Sequence, residues 1–160
     1  MYIFCPLGSY NSKRQTQYSR FLQYVLQMNS HIYINSLVLS EFANRYLRLD
    51  FEIEKKNPAN AGKFNSFKRD YMGSQQCETT IQAIKTTLNQ IVSQCARCSD
   101  EFNSVNIKNV FDLFTKIGFN DSYYLNQAIS KKWIIVSDDS DLVSPHVPNQ
   151  GLTILTYKQN

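Results

Sequence analysis

The stretch Trp133-Ile134-Ile135-Val136-Ser137-Asp138-Asp139-Ser140-Asp141-Leu142 decides how the chain reads. Its first four residues are apolar and β-rich without a break, the pattern of a short strand buried on both faces of a parallel sheet. Aspartates at 138, 139 and 141 then fall at the carboxyl end of that strand. Open α/β sheets place their ligand crevices there, because helices cover both faces and leave only the strand ends open. Carboxylates this close repel one another, and a divalent cation offsets the repulsion, which makes Mg2+ or Mn2+ the natural candidate.

Working outward, Gly118 to Lys132 reads as the helix that feeds this strand, with Tyr124, Leu125, Ala128 and Ile129 as its apolar stripe. Asn120 or Asp121 supplies the N-cap, which brings Asp121 to the same end of the sheet as Asp139. Beyond the acidic cluster, Pro145-His-Val-Pro148 and Asn149-Gln-Gly151 mark a loop, and Leu152 to Tyr157 alternates as a last strand.

Toward the N-terminus, Met1 to Cys5 is apolar, Pro6-Leu-Gly-Ser9 breaks it, and Gln15 to Gln27 shows helical spacing. His31 to Asn35 is a compact strand candidate. The next helix, Ser36 to Arg48, has Leu37, Val38, Phe42 and Leu49 on its inward stripe, and Glu41 falls among them. An inward carboxylate must be paired or bound, since an isolated buried charge costs on the order of several kcal/mol. The ordinary readings are a salt bridge to Arg45, one turn on, or a boundary residue that faces water. Residues 52 to 73 interleave Lys55, Lys56, Lys63, Lys68 and Arg69 with Phe64, Phe67 and Tyr71, around an Asn57 to Gly62 loop. Cations on phosphates and rings on unpaired bases would suit RNA, with Lys63, Lys68 and Arg69 as contacts. The competing reading is a solvated arm whose aromatics join the core. Glu78 to Cys98 forms the clearest long helix, and Ile107 to Ile117 a short one.

With 160 residues, 42% hydrophobic and 13% aromatic, the chain is a single globular domain spanning 1–160, neither disordered nor repetitive. The formal charge of +4 has the sign expected of a phosphate-binding protein. No leader pattern or long apolar run marks a membrane protein, which points to the cytoplasm. Cys95 and Cys98 make a CxxC, but the second pair that zinc needs is absent, and reduced helical cysteines are expected.

Taken together, Asn120-Asp121, about a dozen helical residues, an apolar strand and Ser137-x-Asp139-x-Asp141-Leu142 resemble the C-terminal half of PIN domains, metal-dependent ribonucleases of many bacterial toxin–antitoxin pairs. Ser40-Glu41-Phe42 is similar to the family's acidic position on the helix after its second strand. The resemblance implies an α/β, three-layer fold with a mostly parallel central sheet flanked by helices. It implies an Mg2+- or Mn2+-dependent endoribonuclease, the toxin of a type II pair, with RNA as substrate and a cognate antitoxin as partner; a homodimer is left open. Glu41, Asp121 and Asp139 would be catalytic and metal-binding, Asp141 a further ligand, and Ser137 a supporting hydroxyl. One element departs from the family. Its central first strand ends in an aspartate, whereas here no acid precedes Glu41, and Tyr2-Ile-Phe4 resembles the segment just after that strand. Relative to the family the chain starts one strand late, so its own activity is expected to be impaired. The alternative is a degenerate, non-catalytic PIN domain that binds RNA or protein.

Overall fold

The computed structural model describes residues 12–143 and 151–157; the sequence readings at Met1 to Ser9 and at Pro145 to Gln150 lie outside them. The architecture is mixed α/β, about 61% helical, with short parallel strand pairs. Two compact units divide at Ser99 and Asp100. Among the described residues no helix is long and apolar enough to cross a membrane.

The first unit contains α1 (Ser12–Gln27), β1 (Tyr33–Ile34), α2 (Ser36–Lys56), a 3-10 turn (Pro58–Asn60), a π turn (Phe67–Tyr71), α3 (Gln75–Gln94) and β2 (Ala96–Arg97). Helix α2 begins where the Asn35 side chain accepts the Val38 amide, satisfying one of the donors a helix start leaves open. Phe42 and Tyr46 then pack with Ile34, Ile84 and Ile91 as one cluster. Phe51, Phe64, Tyr71 and Cys77 form a second. Burying such a side chain is worth roughly 1.5–3 kcal/mol, so these clusters carry the unit.

Strand β2 was not legible in the sequence. Helix α3 stops at Gln94, and the Ala96 and Cys98 amides donate to the Ile32 and Ile34 carbonyls, pairing β2 parallel to β1. Cys95 and Cys98 are therefore not helical. An extended i, i+3 pair spans roughly 10 Å and points to opposite faces, beyond disulfide reach.

The second unit contains α4 (Ile107–Phe114), α5 (Phe119–Lys131), β3 (Ile134–Val136) and β4 (Thr153–Leu155). Helix α5 ends as Lys132 turns left-handed, with φ 56°, and the Trp133 amide caps the Ala128 carbonyl at 2.9 Å. β3 then packs against α5, with Ile135 on the cluster that contains Leu125. β3 and β4 pair in parallel, Ile134 with Thr153 and Val136 with Leu155. Leu125, Ile117 and Leu142 form the core beneath them, with Ile135 and Ile154 against it.

Here one expectation fails. β3 is not buried on both faces: Ile134 is 59% and Val136 47% exposed. Among the described residues the strands make two separate two-stranded sheets, β1 with β2 and β3 with β4. Strands fall within each of the three stretches read as β, at 33–34, 134–136 and 153–155, all shorter than read.

Candidate acidic site at the end of β3

The acids after β3 are held by two consecutive side-chain turns. Ser137 closes the strand by donating its amide to the Leu155 carbonyl at 3.0 Å. Its hydroxyl then accepts the Asp139 amide at 3.1 Å, and Asp139 Oδ1 accepts the Asp141 amide at 3.0 Å. Serine and aspartate favour such local bonds to backbone two residues on, so the alternate spacing of Ser137, Asp139 and Asp141 is what shapes the turn. Asp139 and Asp141 end exposed, while Asp138 between them turns inward and is 8% exposed. Oδ1 of Asp139 is committed to the turn, and its second oxygen has no hydrogen-bond partner among the described residues.

Asp121 lies in the first turn of α5, not at its cap. The N-cap is Gly118, without a side-chain bond, in place of the expected Asn120 or Asp121. The half-buried Asp121 carboxylate folds back over the helix start, since a Cβ on Gly118 would meet its Oδ2 at 3.3 Å. A carboxylate there is favoured by the positive end of the helix. Leu125 of α5 shares a core cluster with Ile117 and with Leu142, which follows the acidic turn.

Glu41 belongs to the first unit and corrects the sequence reading of α2. It is exposed, not on the inward stripe. The buried line is Phe42, Tyr46 and Asp50, four residues apart, so the inward acid is Asp50, 6% exposed. Its Oδ2 accepts from the Tyr71 hydroxyl at 2.6 Å, Thr80 Oγ1 at 2.9 Å and Gln76 Nε2 at 3.1 Å. Burial, with the hydrogen bond to Asp50 next, pushes the Tyr71 phenol above the ordinary tyrosine range. Tyr71 therefore keeps its proton and donates it. This buried knot ties α2, the π turn and α3 together, and the Phe42-Tyr46-Asp50 spacing was the sequence signal for it.

The basic stretch resolves into core and rim. Phe64 and Tyr71 are buried, and Phe67 is half-buried with the Arg48 guanidinium 3.9 Å from its ring centre. The buried rings cannot stack on bases. Lys63 lies 5.1 Å from the Phe64 ring centre, and Lys68 is exposed. Arg69 grips Asp70 through two bonds, at 2.7 and 3.2 Å, which raises its own pKa and lowers that of Asp70.

Among the described residues no three His, Cys, Asp or Glu side chains are grouped to hold a metal ion. As placed, the carboxylates do not fit a three-ligand site. Comparison of the chain with protein-family models, curated proteins and solved structures finds no match.

Proposed function

We propose that the chain is a PIN-type endoribonuclease domain, the toxin of a toxin–antitoxin pair, whose working end is the acidic turn after β3. In this reading the fold is the family's three-layer α/β arrangement with a mostly parallel central sheet. The observation that carries it is the placement of exposed Asp139 and Asp141 at the carboxyl end of a parallel strand, with Asp121 in the first turn of the preceding helix. Open α/β folds bind ligands at strand ends of this kind. The charge distribution favours a polyanion as ligand: the first unit holds twelve Lys and Arg against six Asp and Glu, the second five against seven. Within the second unit, Asp139 contributes its uncommitted oxygen to the site. Ser137 acts by fixing the turn, because its hydroxyl is engaged by the Asp139 amide. Mg2+ or Mn2+, with an antitoxin as inhibitor, comes from the resemblance alone, and an ion site requires a further acid such as the one that ends the family's first strand.

The second reading, a non-catalytic module that binds RNA or protein, is favoured by the lack of a three-ligand group among the described residues. Single-stranded RNA cleavage separates the two. The assay uses this 160-residue chain, a version with an added N-terminal strand ending in aspartate, and that version carrying Asp139→Asn. Weak cleavage by the first, stronger Mg2+-dependent cleavage by the second and loss in the third are expected. Undiminished cleavage in the Asp139→Asn version would remove the acidic turn from the site, and binding without cleavage in every version would establish the module.

A further inference from the structure

Two sulfur atoms meet at the edge of the second core cluster of the first unit. Cys77 is fully buried, and its thiol donates to the Met72 thioether sulfur at 3.8 Å. Met72 itself is 42% exposed, so one side chain touches both solvent and a sealed thiol. A thioether sulfur is soft and carries two lone pairs. The Cys77 thiol occupies one of them, and the other is left for an oxidant.

The backbone around this pair is fixed on both sides. The Met72 amide donates to the Phe67 carbonyl at 2.9 Å, the Ser74 amide to the Tyr71 carbonyl at 3.0 Å, and the Cys77 amide to Ser74 Oγ at 3.1 Å. Tyr71 is anchored in the Asp50 knot, and Cys77 packs with Phe51, Phe64 and Tyr71. The Met72 side chain is the adaptable part, since methionine is unbranched and has three rotatable bonds. It can leave Cys77 without disturbing the anchors. Met28 provides the contrast, 60% exposed in the turn after α1 and remote in sequence from any such pair.

We propose that Met72 is a peroxide-modified residue whose oxidation uncovers the Cys77 thiol. The Met72 sulfur lone pair attacks one oxygen of hydrogen peroxide, an S–O bond forms as the O–O bond breaks, and the other oxygen leaves as water with both peroxide hydrogens. Sulfur is oxidised by two electrons to the sulfoxide, and the peroxide is reduced. A sulfoxide is polar and needs a good donor, whereas a thiol is a weak one, so the new oxygen gains more from water than from Cys77. The side chain turns outward and Cys77 becomes reachable. This does not rest on the nuclease reading. The test is alkylation of Cys77 by iodoacetamide, read by peptide mass mapping of the full 160-residue chain before peroxide treatment and after the peroxide is removed. The same maps report the oxidation state of Met28 and Met72. In the unaltered chain Met72 should be sulfoxidised and Cys77 alkylation should rise on the order of tenfold. Met72→Leu keeps an apolar cover that peroxide cannot oxidise, so Cys77 should stay sealed under the same treatment. Met28→Leu should behave as the unaltered chain. Unchanged Cys77 alkylation once Met72 is sulfoxidised, an equal rise in Met72→Leu, or a Met72 that resists peroxide while Met28 oxidises would overturn the proposal.

Discussion

Asp50 and Asp139 are the same residue type put to opposite uses. Asp50 sits in the buried knot of the first unit with three donors on one oxygen. Asp139 stands exposed at the end of β3, with one oxygen shaping a turn and the other uncommitted. A buried carboxylate survives only when donors replace its lost water, and each donor is then unavailable for chemistry. An exposed one contributes little to stability and keeps its charge for a ligand. The buried acid thus reports on folding, and the exposed acid is the candidate for function.

The largest effect should come from breaking the knot. Asp50→Ala leaves the Tyr71 hydroxyl, Gln76 and Thr80 without their acceptor, and should lower stability by about 3 kcal/mol in chemical denaturation. A loss below about 1 kcal/mol would show that water reaches these groups and that the knot is not as buried as described.

Tyr71→Phe should cost less, about 1.5 kcal/mol, since one charge-assisted bond is removed without a cavity. It also carries a pH signature. The phenol's pKa is raised in the folded state above the ordinary value near 10, so the folded protein holds this proton more tightly than the unfolded chain. The stabilisation is complete below about pH 10 and is lost as pH rises beyond it. The parent should therefore lose stability more steeply than Tyr71→Phe above about pH 10, and parallel curves would place the phenol in water.

The smallest effect should be at the other pole of the comparison. Asp139→Asn and Asp141→Asn should each change stability by no more than about 0.5 kcal/mol, because both side chains are exposed and asparagine can still cap the turn. A loss as large as that of Asp50→Ala would make the acidic turn a structural element.

Much of the fold was legible because apolar periodicity marks helices such as α3 and α5, and β-rich runs mark β3 and β4. The identity of the inward acid was not. Glu41 and Phe42 are adjacent on a helix, about 100° apart, and the line Phe42, Tyr46 and Asp50 faces the core instead. β2 escaped because Ala96-Arg97 has no strand signal of its own and is fixed by bonds to the Ile32 and Ile34 carbonyls. The continuous run Trp133 to Val136 marked the strand but not the number of its neighbours, which depends on distant residues. The alternation of Ser137, Asp139 and Asp141 was legible as a motif, and its shape comes from the same local bonds.

The acidic turn is tested most directly by Mn2+-induced line broadening of the backbone amide resonances, tracked residue by residue in the version carrying the added N-terminal strand and its aspartate. Broadening concentrated at Asp121, Asp139 and Asp141 and absent at Asp50 is expected. Broadening centred on other residues, or none as Mn2+ is raised to millimolar levels, would contradict the acidic turn after β3 as the functional site.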